Sequence, residues 1–296
     1  MSIDVIPVES AGAVAAERTG PSPRGELLRE IVRSKTFIVG AVIVGFWIIC
    51  AIFGYVIAPH DPTAENLTGI NRAPSGAHWF GTDQLGRDMF SRVITGARNI
   101  LIIAPLAVIL STVLGSALGL VMGYFRGIVD ESIARVLEAF LALPLVVLAL
   151  TIITAVGASN LVIVLVIALV FTPLIARTVR TSVLLERELD YVAAARLRGE
   201  KAPYIMFAEI LPNVMSPIVV EFTVRIGYAV FALATLSFLG FGVQPPSPDW
   251  ALDINTNFGL VSAGYWWEVL FDAVALASLV IGVNLIADSV EKAIDQ

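Results

Sequence analysis

The chain has 296 residues and a net charge of −6, with 57% apolar and only 15% charged residues. Soluble domains carry about one quarter charged residues, so a mean hydropathy of +0.85 excludes an ordinary soluble protein. The small, dispersed charge gives no indication of nucleic-acid binding, and membrane lipid is the expected surrounding.

The N-terminal 36 residues precede the first apolar run. Residues 1–20 are rich in Ala, Ser, Pro and Gly, a composition typical of an unstructured tail. Residues 24–35 are predicted to form a basic helix along the membrane surface. The following run is too long for a signal peptide and leads into His60-Asp61-Pro62 rather than a cleavage site. We therefore predict a cytoplasmic tail at 1–36 and a transmembrane domain at 37–296.

Six apolar runs approach or exceed the length of about 20 helical residues that a bilayer requires. Their approximate bounds are 37–58, 99–124, 136–157, 160–176, 216–241 and 266–288. The fourth run is short and follows the third closely, so these two are expected to form a helical hairpin. The pattern predicts an all-α integral membrane protein with six transmembrane helices. Cys50, the only cysteine, lies in the first run and is expected to be a buried, inert thiol.

The distribution of basic residues predicts the orientation. Fourteen of the 19 arginines and lysines fall on one side of the predicted spans, four fall on the other, and Arg225 lies inside the fifth span. The positive-inside rule therefore places both termini and the segment 177–215 in the cytoplasm.

The predicted outer loop before the second span contains an apolar stripe of helical spacing. Phe90, Val93, Ile94 and Ala97 form this stripe, with Arg87 and Arg92 on the other face. An amphipathic helix at the outer membrane interface is expected here.

The same outer loop holds potential metal ligands. They are His60, His78, Asp83 and Asp88, but their spacing matches no standard site. We expect interfacial or solvated histidines and no metal.

A stripe of small residues recurs every fourth position in the second span, at Ser111, Gly115, Gly119 and Gly123. Such a stripe lets two helix backbones approach closely. It is expected to pack within this chain or against a partner subunit, rather than to bind a ligand.

The segment between the fourth and fifth spans is the most informative part of the chain. Asp190 is predicted to cap a short helix over 191–198, and Gly199 to take the left-handed position after it. Pro203 suits the first turn of a second helix, and Pro212 its end. Three consecutive alanines, 193–195, give the first helix a narrow face that can enter a groove on another protein.

The fifth span contains an ionisable pair, Glu221 and Arg225, one helical turn apart. Charged groups at that depth are costly, so the two are expected to pair. A structural ion pair and a place on a solute pathway are equally compatible with this spacing. No other pair is expected to be buried.

The predicted last outer loop, 251–264, contains a partial calcium motif. It begins with Asp253-Ile-Asn-Thr-Asn257, but Phe258 and Gly264 replace the glycine and glutamate that such a loop requires. We expect an outer loop here, followed by an interfacial aromatic anchor at 265–267.

The segment at 190–212 resembles the EAA loop of permease subunits from ATP-binding-cassette importers. The residues that match this loop are Ala194, Ala195, Gly199, Leu211 and Pro212, whereas Ala193 replaces its glutamate and Glu209 its isoleucine. Further motifs resemble the second of the two paired permeases in dipeptide, oligopeptide and nickel importers. These are Gly81-Thr-Asp-Gln-Leu-Gly-Arg-Asp88, Ser91-Arg92, Gly96-x-Arg98, Ser237-Phe-Leu-Gly-Phe-Gly-Val-Gln-Pro-Pro246 and Trp250. The resemblance covers roughly residues 25–296.

The resemblance implies a type I importer permease fold in a prokaryotic inner membrane. It implies a second permease, two cytoplasmic ATPases that hold ATP and Mg²⁺, and an external solute-binding protein as partners. Peptides are the first expected solute and nickel the second. The residues expected to dock the ATPase are Asp190, Tyr191, Ala194, Ala195, Arg196, Arg198, Gly199, Leu211 and Pro212.

Two other classes of function compete with this interpretation. A secondary transporter would be expected to show inverted repeats or a chain of buried carboxylates, and neither is evident in the sequence. A membrane enzyme is disfavoured because the chain has no phosphate-binding loop, no H-E-x-x-H and no Cys/His pair. ATP hydrolysis is therefore expected on another polypeptide.

Overall fold

The computed structural model describes residues 31–294, and within them the regular structure is helical. Backbone groups in hydrocarbon must be satisfied within their own segment, and apolar runs of this length therefore become helices. Within this described part of the chain, five helices are long and apolar enough to cross a membrane. They are α1 Lys35–Ile57, α2 Met89–Phe125, α5 Asn160–Glu186, α9 Met215–Phe238 and α11 Trp267–Ile294. The predicted tail at 1–36 and its basic helix lie almost wholly outside the described residues.

The third predicted span is a broken pair of helices. Instead of one helix over 136–157, the chain forms α3 Gly127–Leu141 and α4 Leu145–Val156, which are bent by 87°. Pro144 lies between them; it has no N–H group and disfavours helical conformation in the residue before it. The described chain therefore has five spans, or six when the bent pair counts as one.

Helix α2 is longer than its predicted span because it begins at Met89, where the Asp88 carboxylate accepts a hydrogen bond from the Ser91 N–H at 2.9 Å. The expected interfacial amphipathic helix is therefore the first part of α2. Its environment also differs from the prediction, since Arg92 is 2% exposed. The predicted polar face is thus buried inside the protein.

Short helices connect the spans. Between α5 and α9 lie α6 Asp190–Leu197, α7 Ala202–Tyr204, a π-helical turn Ile205–Ile210 and α8 Leu211–Asn213. Between α9 and α11 lie α10 Trp250–Asn257 and a 3₁₀ turn Phe258–Ala263. The expected outer loop at 251–264 is therefore helical, and it is anchored by Trp250, which is fully buried.

The small-residue stripe of α2 lies against α5 of the same chain. A Cβ atom at Gly115 would lie 2.8 Å from Ile175, at Gly119 2.7 Å from Val179, and at Gly123 2.6 Å from Val183. Each glycine in α2 meets the α5 residue that lies the same number of positions further along the chain. The two helices therefore run parallel and in close contact. Of the two packing arrangements that the sequence left open, the described structure places the stripe within the chain.

A substitution pair tests the contact between α2 and α5. We expect Gly119→Ala to lower the free energy of unfolding by about 1–3 kcal/mol, because the added methyl would contact the Ala176 carbonyl at 2.8 Å and must displace backbone. Gly45→Ala in α1 is the control, since its methyl would have no neighbour within 4 Å in the part of the chain that the structure describes. Thermal unfolding of the detergent-purified chain measures both, and equal midpoints for the two variants would contradict the packing.

Candidate functional site

The segment 187–214 follows α5 and lies at the end of the helices where α2 also ends. Helix α6 begins one residue earlier than predicted: Leu189 occupies the N-cap position and Asp190 is the first helical residue. The predicted capping bond from Asp190 is therefore wrong, although its charge still favours the positive end of the helix dipole.

The end of α6 agrees with the prediction. Gly199 has φ +78°, its N–H donates to the Arg196 carbonyl at 3.0 Å, and the Glu200 N–H donates to the Ala195 carbonyl at 3.2 Å. This is the Schellman arrangement, in which a left-handed residue closes the helix. Apart from the adjacent residues, no atom of residues 31–294 would lie within 4 Å of a Cβ at Gly199, so backbone conformation, not space, makes this position require glycine.

The second half of the segment begins as predicted, with Pro203 in the first turn of α7. Helical backbone continues through the π-helical turn and ends at Asn213, one residue beyond Pro212. Tyr204 and Phe207 are half exposed on this stretch. Aromatic side chains therefore lie at the surface beside α6.

Helix α6 has a buried face and an exposed face. Val192 and Ala195 are fully buried, whereas Ala193 and Ala194 are exposed and Leu197 is 90% exposed. The predicted docking residue Ala195 thus packs against its own chain and supports the helix. The surface available to a partner is formed by Ala193, Ala194 and Leu197, which we call the α6 outer face.

Polar contacts tie the segment to the ends of the spans. The Tyr191 hydroxyl donates to Glu186 at 2.9 Å, and burial together with that carboxylate raises the pKa of Tyr191 to about 12. The Arg196 guanidinium lies 5.4 Å from the ring centre of Tyr124 in α2. Arg198 pairs with Glu209 at 3.0 Å. Glu209, which replaces the isoleucine of the EAA pattern, therefore joins the second half of the segment to α6.

The remaining predicted docking residues, Leu211 and Pro212, lie in α8. Leu211 is half buried and Pro212 is exposed. Arg187, at the end of α5, donates to the Tyr124 carbonyl of α2. The segment is therefore held by both α2 and α5.

The Glu221–Arg225 pair in α9 forms as predicted. Arg225 Nε donates to Glu221 at 2.8 Å, and the Thr178 hydroxyl of α5 donates to the same carboxylate at 2.7 Å. Both charged side chains are mostly buried, at 17% and 15% exposure. Because the carboxylate is engaged by two protein donors, the geometry favours the structural interpretation of the pair.

A second ionic cluster, which was not predicted from the sequence, lies at the opposite end of the helices. Arg92 donates to both oxygens of Asp253, at 2.6 and 3.0 Å, and to the Pro62 carbonyl at 3.0 Å. Both side chains are almost fully buried, at 2% and 4% exposure. The expectation that only Glu221 and Arg225 are buried is therefore wrong.

More carboxylates surround this pair. Asp249 caps α10 and is 1% exposed, and burial, reinforced by the Asp253 charge, raises its pKa to about 6. Asn257, Glu268 and Asp272 are fully buried, and their side chains make no hydrogen bond within residues 31–294. Their four-residue spacings, from 253 to 257 and from 268 to 272, place each pair on one helix face and were the available sequence indication.

The aromatic cluster at the start of α11 differs from a purely interfacial anchor. Trp266 is half exposed, but Trp267 is buried and its indole N–H donates to the Thr82 carbonyl at 3.3 Å. Trp250 donates to the Val93 carbonyl at 2.8 Å, and a Cβ at Gly96 would lie 2.7 Å from its indole nitrogen. Motifs that are far apart in the sequence therefore assemble one packed layer.

The buried pair yields a stability prediction. We expect Arg92→Ala to cost about 3–5 kcal/mol of unfolding free energy, because Asp253 would remain buried without its partner. Arg126→Ala is the matched control, since its pair with Glu188 is more than half exposed and such pairs contribute about 0–1 kcal/mol. Thermal unfolding in detergent compares them, and a small, equal effect would show that the Arg92 pair contributes little.

Residues 115–296 match the family described as the binding-protein-dependent transport system inner membrane component, and residues 22–74 match the N-terminal TM domain of oligopeptide transport permease C. The dipeptide transport system permease protein DppC of Alkalihalophilus pseudofirmus is 35% identical, over 94% of this chain and 91% of that protein. The glutathione transport system permease protein GsiD of Pectobacterium atrosepticum is 34% identical, over 95% and 94%.

A solved structure shares the fold. The MetNI methionine ABC transporter, in an inward-facing conformation, aligns with a TM-score of 0.55 and 18% identity, over 69% of this chain and 97% of that one. At this identity the likeness concerns the arrangement of helices alone.

Proposed function

The chain belongs to the family of inner membrane components of binding-protein-dependent transport systems, and we propose that it is the permease subunit of an ATP-driven importer of di- or oligopeptides. The observation that supports the transport mechanism is the 187–214 segment. It combines an exposed apolar surface with rigid attachment to two spans. We infer that it docks a cytoplasmic ATPase subunit.

The α6 outer face has the chemistry of a docking surface. Small alanines at 193 and 194 leave room for a groove to close around the helix, and Leu197 offers an exposed apolar side chain. Arg198 is half exposed beside it and is oriented by Glu209. Because Ala193 replaces the glutamate of the EAA pattern, docking here rests on shape and on the arginines.

Movement of a docked partner would reach the membrane through α2 and α5. Arg187 and Arg196 join the segment to Tyr124, and the glycine stripe holds α2 against α5. Tightly packed helices move together rather than deforming. A rigid-body displacement of α6 would therefore shift these two spans relative to the rest of the pathway.

The other components of the importer are assigned to partner chains. We propose a second, homologous permease to complete the pathway, two ATPases that hold ATP and Mg²⁺, and an external solute-binding protein that delivers the peptide. The inner membrane of a prokaryote is the corresponding location. Peptides are favoured over nickel because the relatives described above are named for dipeptide and glutathione transport.

The docking proposal is tested by ATPase copurification. We expect Ala194→Glu to lower the amount of ATPase that copurifies by about tenfold or more, since a buried unpaired charge would cost several kcal/mol at the contact. Ala73→Glu is the control, because Ala73 is also exposed but lies in the loop before α2. Undiminished copurification with Ala194→Glu would exclude docking through the α6 outer face.

Gly199 provides a second arm of the same test. The left-handed conformation costs alanine roughly 1–2 kcal/mol, whereas asparagine tolerates it better. Gly199→Ala should weaken copurification and Gly199→Asn should largely preserve it. The reverse order would show that the Schellman turn does not orient the segment.

The solute is tested in the reconstituted complex. We expect ATP hydrolysis by proteoliposomes to rise several-fold when the proposed solute-binding protein is loaded with a dipeptide, because closed, loaded binding protein favours the ATPase-competent state. The same protein incubated with Ni²⁺ is the control. Stimulation by Ni²⁺ and none by peptides would overturn the peptide assignment while leaving the importer mechanism intact.

A further inference from the structure

We propose that His60, His78 and Asp88 form a binding site for a divalent transition-metal ion of the zinc class. The site lies in the loop between α1 and α2, on the side of the spans opposite to the 187–214 segment. The inference does not depend on the transported solute or on ATPase docking, because metal binding requires only these three side chains.

The fold brings together ligands that are separated in the sequence. One potential ligand atom from each of the three side chains lies within 4.8 Å of the other two. His78 Nδ1 lies 2.8 Å and His60 Nδ1 3.7 Å from the same Asp88 oxygen, Oδ1. Ligands at about 2.1 Å from a tetrahedral zinc ion are roughly 3.4 Å apart. The observed distances bracket that value.

Asp88 is already oriented as a metal ligand would be. Its other oxygen, Oδ2, accepts from the Ser91 N–H at 2.9 Å and the Ser91 hydroxyl at 2.7 Å. Oδ1 therefore points to the imidazoles. A ligating carboxylate whose second oxygen is hydrogen-bonded in this way is a common feature of metal sites.

The charges around Asp88 also favour a cation. The side chain is 2% exposed, and its charged or chargeable partners within residues 31–294 are the two histidines. The neighbouring arginines are engaged elsewhere, Arg87 by Asp83 and Arg92 by Asp253. A buried carboxylate needs a counter-charge or a metal, and a divalent ion between Asp88 and two neutral imidazoles supplies one.

The two histidines differ in how firmly they are held. His78 is 17% exposed, and its backbone carbonyl accepts from the Ser75 N–H at 2.8 Å and the Gly81 N–H at 3.0 Å. His60 is 45% exposed and lies against the His78 ring, with 4.8 Å between ring centres. His60 is therefore the ligand whose ring has room to move towards a bound ion.

The chemistry of the ligand set defines the ion. Two imidazole nitrogens and one carboxylate oxygen suit Zn²⁺, Co²⁺ or Ni²⁺ rather than Ca²⁺ or Mg²⁺, which prefer oxygen ligands. Three protein ligands leave a fourth position for water or for a group from another molecule. The half-exposed edge of the site, at His60, makes that position accessible from solvent.

The experiment measures binding of Co²⁺ and Zn²⁺ to the purified full chain. The protein carries an affinity tag without histidine and is stripped with a chelator before titration. Co²⁺ is followed by its visible absorption and Zn²⁺ by calorimetry. We expect one ion per chain, and a dissociation constant raised by about tenfold or more in His60→Ala, because one of the three protein ligands is lost.

Two further variants separate ligation from a structural hydrogen bond. His78→Gln keeps a side-chain N–H that can reach Asp88 but removes the imidazole, so it should retain thermal stability and lose metal binding. Asp61→Asn is the control for surface charge, because the Asp61 carboxylate is bound by Thr63 at 2.8 and 2.7 Å and lies outside the site. It should bind metal as the unmodified chain does.

The outcomes decide the proposal. Loss of binding in both histidine variants with retention in Asp61→Asn would support it. Stoichiometric binding that survives His60→Ala, or no binding of either ion at 100-fold excess over protein, would overturn it and leave His78–Asp88 as a structural hydrogen bond.

Discussion

The close parallel contact between α2 and α5 is the constraint on which the rest of the structure depends. Glycines at 115, 119 and 123 remove the side chains that would separate the helices, and Ile175, Val179 and Val183 occupy the space. The contact ends where α5 leaves the apolar region and the 187–214 segment begins. The position of that segment is therefore set by helix packing, and Arg187 and Arg196 reinforce it through Tyr124.

The two ends of the helical bundle differ in the burial of their charged and apolar residues. At the end that bears α6, exposed small and apolar residues coexist with partly exposed ion pairs, and this is the surface that we propose a partner covers. At the other end, Arg92 and Asp253 are buried among further carboxylates, and Trp250 and Trp267 close the layer. Buried carboxylates are also what a secondary transporter would be expected to contain, but family membership favours the importer.

Most of the helices could be predicted because their determinants are local. Apolar length predicts α1, α9 and α11 to within a few residues at most of their ends, and Gly199 and Pro203 occupy the predicted positions in the segment between α5 and α9. Two of the errors arose where tertiary contacts intervene. Arg92 was assigned to a polar helix face because its partner lies 161 residues away, and Ala195 was assigned to a docking surface although the core covers it.

The sequence by itself determined that this is a helical membrane protein of the importer-permease type, because span length, capping residues and short motifs all act over a few residues. Only the tertiary structure decided which of the alanines face outward, which helix the glycine stripe contacts, and which charges meet. It also brought His60 and His78 to one oxygen of Asp88. The reason is that burial and ion pairing depend on residues that are distant in the chain. A local sequence pattern does not specify how far apart such residues lie in space.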